Sequence, residues 1–173
     1  MLEDMPVDTT VVSVQEYLAS DYEPDCDYVD GVLEERNLGE QDHSRLAILI
    51  GGYFLRHEKR FGVKVLAEQR VQISPTRFRV PDIALVEPDN REQIIRTPPL
   101  LCIEILSPED RLKRIRIRAD DFLNTGVPEI WIIDPQNRRC YRYTKAAGFH
   151  EVLAGVLTTS DGRITLNLAE LGE

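Results

Sequence analysis

Residues 100–108 have the sequence Leu-Leu-Cys-Ile-Glu-Ile-Leu-Ser-Pro, an apolar strand pattern with a single carboxylate, Glu104, near its middle. The period-two alternation of a strand places Glu104 on the same face as Cys102 and Leu106. An ionised carboxylate within an apolar strand is costly unless a cation, a proton or a hydrogen-bond donor compensates it. Glu104 is therefore the first residue in this sequence whose presence calls for an explanation.

A helix is predicted directly after this strand. Ser107 suits the N-cap, Pro108 the first helical position and Asp110 the acidic third position of a capping box. Gly126 ends the helix, and a second apolar strand follows at residues 129–134. A strand, a helix and a strand with short connections indicate a right-handed βαβ crossover.

The other elements predict a mixed α/β (α+β) domain, with a β-sheet flanked by helices and an N-terminal hairpin. Asp30-Gly31 is a strong two-residue hairpin turn, and Phe61-Gly62 closes a long helix that begins near Asp42. A short helix at 13–19 and extended segments at 63–73, 78–86, 138–143, 149–153 and 164–168 complete the prediction. Residues 1–12 are expected to be a loose start and residues 13–173 a single domain.

The composition is that of an ordinary globular chain that needs neither a disulfide nor a metal to fold. The chain has 173 residues, of which 42% are hydrophobic and 29% charged. No apolar run approaches the ~20 residues that span a bilayer, and no signal peptide is visible. Three scattered cysteines argue against a disulfide framework or a cysteine zinc site, and together these features predict a cytoplasmic location.

The acidity of the chain is confined to its first quarter. The net charge is −9, but the first 42 residues hold 13 acidic residues and 1 basic residue, a net charge of −12. The remaining residues have a net charge of +3. The body of the protein is therefore mildly basic, and the overall charge does not exclude a phosphate-bearing substrate.

A second carboxylate, Asp82, lies 22 residues before Glu104, on the preceding predicted strand. If the two strands pair antiparallel, both carboxylates share one face within a few ångströms, where a proton or a cation has to relieve their repulsion. Mg²⁺ commonly binds through one or two carboxylates, polarises a phosphoryl oxygen and activates a bound water. Arg111 and Arg118 on the following helix would then stabilise negative charge on a phosphate.

Simpler interpretations of the same residues stay open. Asp82 also fits a solvated strand or turn residue after Pro81. Glu104 also fits a core carboxylate that pairs with an arginine, for which Arg70, Arg79 and Arg118 are candidates. On composition alone, the basic run that ends at Arg118 is more often a solvated helix face than a ligand site.

Four segments resemble the Uma2 family, a restriction-endonuclease-like group within the PD-(D/E)XK nuclease superfamily. They are residues 28–31 (Tyr-Val-Asp-Gly), 79–82 (Arg-Val-Pro-Asp), 102–108 (Cys-Ile-Glu-Ile-Leu-Ser-Pro) and 126–135 (Gly-Val-Pro-Glu-Ile-Trp-Ile-Ile-Asp-Pro). The resemblance covers about residues 15–155. It implies a restriction-endonuclease-like core and hydrolysis of DNA phosphodiester bonds with Mg²⁺ or Mn²⁺. Asp82 and Glu104 then stand at the positions of the metal-binding carboxylates.

The chain departs from the family motif at the lysine. The motif places a lysine two residues after the glutamate, where this chain has Leu106. Uma2-like sequences move that lysine onto the following helix, and the corresponding position here is Arg118. Arginine keeps the positive charge and binds phosphate, but it cannot act as a general base at ordinary pH. Lys113, more than a helical turn away, is a poor substitute.

Weaker candidates and competing functions complete the prediction. The resemblance makes His43 a metal neighbour or proton-transfer partner, although it also fits a solvated residue at the start of a helix. Glu68 is a further candidate ligand, although it also fits a residue that merely flanks the sheet. The first hypothesis is a metal-dependent DNA endonuclease with Asp82, Glu104 and Arg118 as catalytic residues. The alternative is a nuclease-fold protein without catalysis that binds nucleic acid or a protein partner. A dimerisation module is the third class, and a homodimer is compatible with all three.

Overall fold

The structure is a computed structural model that describes residues 11–36, 40–107 and 112–172. The helices are α1 (Val14–Ala19), α2 (Gln41–Phe61) and α3 (Leu112–Thr125), and a 3₁₀ turn (Leu168–Leu171) follows the last strand. The strands are β1 (Cys26–Val29), β2 (Val32–Glu35), β3 (Lys64–Ala67), β4 (Val71–Ser74), β5 (Arg77–Arg79), β6 (Ile83–Val86), β7 (Leu101–Ile105), β8 (Glu129–Ile133), β9 (Cys140–Thr144), β10 (Gly148–Val152), β11 (Val156–Thr158) and β12 (Thr165–Asn167). The mixed α/β class is confirmed.

The largest sheet has six strands in the order β10-β9-β8-β7-β6-β3, with β7 and β8 at its centre. These two strands pair in parallel and are joined through α3, so the predicted strand–helix–strand unit is confirmed. The other neighbours in this sheet pair antiparallel. Gly126 follows α3 with a φ of 107°, a conformation that favours glycine.

The two faces of β7 belong to two separate parts of the core, as the alternation predicts. Leu101, Ile103 and Ile105 pack with apolar residues of α2. Cys102 packs instead with buried residues of α3, such as Phe122. The sheet is therefore covered by α2 on one face and by α3 on the other, and Glu104 lies on the α3 face.

A second sheet, in the order β2-β1-β5-β4, contains the predicted N-terminal hairpin. Asp30 and Gly31 form its turn with φ values of 50° and 95°, which glycine and aspartate tolerate better than most residues. Tyr17 of α1 lies in a small core with Tyr28 and Phe78 of this sheet. The hairpin is thus confirmed; it pairs with β5 and α1 packs against its sheet.

The prediction of one continuous extended segment is wrong in two places. Residues 63–73 divide into β3 and β4, and residues 78–86 divide into β5 and β6; in both cases the halves belong to different sheets. Glu68 adopts a φ of 49° at the first break, and Pro81, which has no N–H to donate, lies at the second. The chain therefore changes sheets immediately before Asp82.

The start of α3 and the C-terminal strands complete the comparison with the predicted elements. The predicted α3 N-cap arrangement involves Pro108 and Asp110, which lie outside the described residues. The structure adds β11, which pairs antiparallel with β12 and which the sequence did not indicate. None of the helices in the described ranges is long and apolar enough to cross a membrane.

Candidate active site

The two carboxylates predicted from the sequence lie opposite each other on neighbouring strands. Strands β6 and β7 pair antiparallel, with Ile83 opposite Ile103. Continuing this register by one residue sets Asp82, directly before β6, opposite Glu104, and residues opposite one another share a face. Both side chains are buried, with relative exposures of 6% for Asp82 and 4% for Glu104.

Both carboxylates line a small polar pocket of about 40 Å³ at the end of β7. The pocket is lined by Arg36, His43, Asp82, Glu104, Ile105, Ser107, Arg114, Ile115 and Arg118. This volume is close to the space that one or two waters or a small ion occupy.

Asp82 is held by three groups from three different parts of the chain. Arg36 donates from Nη2 to Oδ1 at 2.6 Å, and the backbone N–H of Ile105 donates to Oδ2 at 2.7 Å. His43 Nε2 lies 3.3 Å from the same Oδ2. Burial opposes ionisation, but His43, Arg36 and the Ile105 N–H outweigh it and lower the pKa of Asp82 below its ordinary value. Asp82 is therefore an oriented, ionised carboxylate.

Glu104 has the opposite electrostatic character. Its Oε1 accepts a hydrogen bond from Arg118 Nη2 at 2.9 Å. Burial raises the pKa of Glu104 to about 7, because Arg118 offsets the cost only in part and the charge of Asp82 adds to it. The two carboxylates thus differ in pKa, so that Glu104 is only partly ionised at neutral pH, and an added positive charge would favour its ionised form.

Arg118 also pairs with a second buried carboxylate, Asp27. Its Nη1 donates to Asp27, which is fully buried, and its Nη2 also donates to the carbonyl of Val80 at 3.0 Å. Asp27 in turn accepts from Arg79 Nη1 at 2.9 Å and from the backbone N–H of Val80 at 2.9 Å. The β1–β2 hairpin is thereby connected to β7 through buried charges.

Among the three arginines considered as partners of Glu104, the structure selects Arg118. Arg79 pairs instead with Asp27, Glu34 and Asp121. The guanidinium of Arg70 lies 4.7 Å from the centroid of the Tyr17 ring.

The weaker candidates lie at different distances from the pocket. His43 lines it, whereas the side chain of Glu68 is 70% exposed and reaches Arg36 at 3.6 Å. Lys113 is exposed on α3, outside the pocket. Arg111 lies outside the described residues.

Sequence reasoning missed two residues of this site, Asp27 and Arg36. A signal existed for both. Asp27 directly precedes the Tyr-Val-Asp-Gly segment, and Arg36 is the single basic residue among the first 42. A lone cation in an acidic segment is a natural candidate for a charge partner.

The residues present are compatible with a divalent cation. Within the described ranges, no three His, Cys, Asp or Glu side chains are grouped so as to hold a metal ion. Two carboxylates are nevertheless sufficient for Mg²⁺, which retains several waters. Burial and the charge of Asp82 raise the pKa of Glu104, and a bound cation would stabilise its ionised form.

Comparison with solved structures gives the class of the fold. A crystal structure described as a putative nuclease belonging to DUF820, from Anabaena variabilis ATCC 29413, superimposes with a TM-score of 0.79 and 19% sequence identity. The match covers 92% of this chain and 97% of that chain. The architecture is therefore that of a nuclease-like fold.

Comparison with protein families identifies the group. Residues 14–168 match the Uma2 family, which is described as "Putative restriction endonuclease". The chain belongs to the Uma2 family. A comparison with curated proteins gave no match.

Proposed function

We propose that this protein is a metal-dependent endonuclease that hydrolyses DNA phosphodiester bonds in the pocket formed by Asp82 and Glu104. The observation that carries the proposal is the pair itself. The two buried carboxylates lie opposite each other on antiparallel strands, and the pKa of Asp82 is lowered while that of Glu104 is raised to about 7. Perturbed carboxylates of this kind concentrate in catalytic pockets.

The proposal assigns roles to the two carboxylates, to Arg36 and Arg118, and to the backbone of Ile105. Asp82 and Glu104 would hold Mg²⁺ or Mn²⁺, the kind of cation that restriction-endonuclease-like families generally use. When bound, such an ion polarises the phosphoryl oxygens and lowers the pKa of a coordinated water. Arg118 stabilises negative charge on the phosphate, and Arg36 and the Ile105 N–H keep Asp82 ionised and oriented.

A plasmid-nicking assay tests the proposal. The purified protein should convert supercoiled DNA to nicked and linear forms with Mg²⁺ or Mn²⁺ and should not do so in EDTA. Asp82→Ala should abolish cleavage, whereas Asp89→Ala, at an exposed loop position, should cleave like the wild type. Equal cleavage by the Asp82→Ala protein would assign the activity to another site or to a contaminant.

A nuclease-fold protein without catalysis is the second candidate, and one specific observation favours it. Arg36 and Arg118 each pair with one of the two carboxylates, at 2.6 Å and 2.9 Å, and so already supply positive charge that a metal would otherwise contribute. The Arg118→Lys substitution discriminates between the two functions. If the native protein cleaves no DNA and Arg118→Lys creates metal-dependent cleavage, the native protein is a degenerate nuclease.

A cytoplasmic location and a homodimer are part of the same proposal. Restriction-type nucleases often pair two active sites in order to cut both strands. Light scattering of the purified protein measures the oligomeric state, and a monomer at assay concentrations would remove the homodimer from the proposal.

A further inference from the structure

A second, larger cavity lies beside the candidate active site. This cavity, here called the α3 cleft, has a volume of about 470 Å³ and lies between β2 and α3. Its described lining includes Glu34, Glu35, Lys113, Arg114, Ile117 and Arg118. Arg114 and Arg118 also line the active-site pocket, so the two cavities are adjacent.

A polymeric substrate needs a surface of this kind. The active-site pocket, at about 40 Å³, is too small for a nucleotide, so a strand presents only its scissile phosphate there. Successive phosphates of a DNA strand are separated by about 3.4 Å along the helix axis. The neighbouring nucleotide must therefore rest on the surface directly outside the pocket. The volume of the α3 cleft lies within the roughly 300–1,000 Å³ typical of small-ligand sites.

The walls of the α3 cleft match the three chemical parts of a nucleotide. Lys113 on α3 supplies positive charge for a phosphate, and Arg114, whose Nη2 donates to the backbone carbonyl of Glu35 at 2.6 Å, adds to the positive charge of this wall. Ile117, which is 47% exposed, supplies an apolar contact for a sugar or a base face. Glu35 on the opposite wall offers its carboxylate as an acceptor for an exocyclic amino group, as carboxylates do for cytosine N4, whereas Glu34 already accepts from Arg79 at 2.6 Å. The negative wall also directs the phosphate toward α3.

The cavity on the other side of the active site lacks this match. It has a volume of about 580 Å³, lies between α2 and β3, and shares His43 and Asp82 with the active-site pocket. Its described lining contains no lysine or arginine, its exposed large hydrophobic side chains are Ile48 and Leu55, and the exposed Glu68 adds a negative charge. Phosphate attraction therefore favours the α3 cleft over this apolar side.

We infer that the α3 cleft binds the nucleotide adjacent to the scissile phosphodiester, with its phosphate toward Lys113 and its base edge toward Glu35. This inference rests on the proposed function, because it assigns the path that the same substrate takes. Lys113, a poor substitute for the motif lysine, becomes a substrate-binding residue.

The first test measures binding of a fluorescein-labelled DNA duplex in EDTA, where binding is separated from cleavage. Lys113→Ala should weaken binding and reduce the slope of log affinity against log salt by about 0.9. Ile117→Ala should weaken binding about fivefold or more with an unchanged salt slope. Lys145→Ala, at an exposed turn position between β9 and β10, is the matched control and should bind like the wild type.

The second test maps the ends of cleavage products by sequencing. The wild type should prefer a base with an exocyclic amino group next to the cut, and Glu35→Ala should reduce that preference about fivefold. Unchanged preference in Glu35→Ala would overturn the assigned orientation. If the wild type binds DNA while Lys113→Ala and Ile117→Ala bind it as tightly as Lys145→Ala, the α3 cleft is not the binding surface. The inference is then overturned, whereas the proposed nuclease function stands. If the wild type neither binds nor cleaves DNA, the proposed function fails first, and the inference fails with it.

Discussion

Arg118 connects two buried carboxylates, because its guanidinium donates from one nitrogen to Asp27 and from the other to Glu104 at 2.9 Å. The second nitrogen also reaches the carbonyl of Val80 at 3.0 Å. A planar guanidinium serves these three acceptors from two nitrogens in a fixed geometry, whereas a lysine ammonium carries its three donors on a single nitrogen and cannot reproduce that spacing. The arginine at this position is therefore fitted to its surroundings rather than merely tolerated.

Asp27→Ala should strongly destabilise the protein. Asp27 is fully buried and accepts from Arg79, Arg118 and the N–H of Val80, so its removal leaves two buried cations with fewer partners. Breaking a buried ion pair by removing one partner costs about 3–5 kcal/mol. Urea unfolding at pH 7 measures the change in the free energy of unfolding.

The control for Asp27→Ala is Asp89→Ala, which removes a carboxylate from an exposed loop. Its free energy of unfolding should stay within about 0.5 kcal/mol of the wild type. A cost below about 1 kcal/mol for Asp27→Ala would contradict the idea that Asp27 is the anchor of the two arginines.

Arg36→Ala should tighten divalent-cation binding while it slows cleavage. Arg36 donates to Asp82 at 2.6 Å, so its positive charge repels any cation that shares this carboxylate. A unit charge and a divalent ion about 5 Å apart repel by about 1–2 kcal/mol in a water-like dielectric, which corresponds to about tenfold in affinity. Cleavage should slow because Asp82 loses a group that orients it. Calorimetric titration with Mn²⁺ measures the affinity.

Arg139→Ala, at a 61% exposed position, is the matched arginine control and should leave Mn²⁺ affinity unchanged. If Arg36→Ala instead lost Mn²⁺ affinity, orientation of Asp82 would outweigh charge repulsion. That outcome would show that Arg36 affects the metal site mainly by positioning Asp82 rather than through its charge.

The parts of the fold that the sequence predicted depend on local patterns. The Asp30-Gly31 turn, the glycine ends of α2 and α3, and the alternation along β7 are all visible in short windows. The neighbouring position of Asp82 and Glu104 followed from a single assumption, antiparallel pairing of two successive strands, which the structure confirms.

The parts that the sequence did not predict depend on distant contacts. Asp27 and Arg118 are 91 residues apart, and Arg36 and Asp82 are 46 apart. A charged residue shows by its type that it needs a partner, but no local pattern shows which one. The change of sheet at Pro81 was missed for a related reason, since an extended backbone can end one sheet and begin another without a change in hydrophobic period.

Glu129→Ala should reduce stability and leave cleavage intact. Glu129 is buried and accepts hydrogen bonds from Trp131, from Arg142 and from the backbone and hydroxyl of Ser160. Burial would raise the pKa of Glu129, but Arg142 and the hydrogen bonds of Ser160 and Trp131 lower it. Loss of this carboxylate should cost about 2–4 kcal/mol in the free energy of unfolding.

The measurement for Glu129→Ala combines urea unfolding, Trp131 fluorescence and plasmid nicking. Trp131 is the single tryptophan, so a red-shifted emission would report the loss of its Glu129 contact and burial. Glu129 begins β8, whereas Ile132, three residues later, pairs with Glu104. A large loss of specific activity in the folded variant would contradict this separation of stability from function.

The raised pKa of Glu104 predicts that the metal-free protein loses stability as the pH rises. The pKa is about 7 in the folded protein, against about 4.3 for glutamate in an unfolded chain. Between these values the folded state binds a proton that the unfolded state has released, so the free energy of unfolding falls with rising pH. In EDTA it should be lower at pH 8 than at pH 5, by up to about 3 kcal/mol from this group.

Glu104→Gln isolates this contribution, because a glutamine resembles the protonated acid at every pH. The variant should match the wild type at pH 5 and exceed it in stability at pH 8, both in EDTA. If the wild type were instead the more stable protein at pH 8, the ionised Glu104–Arg118 pair would dominate over burial. In the expected case, Mg²⁺ should raise the free energy of unfolding of the wild type at pH 8, since a ligand that binds only the folded state stabilises it. Mg²⁺ should leave the free energy of unfolding of Glu104→Gln nearly unchanged. Such a difference would connect the stabilisation to a cation that binds at Glu104.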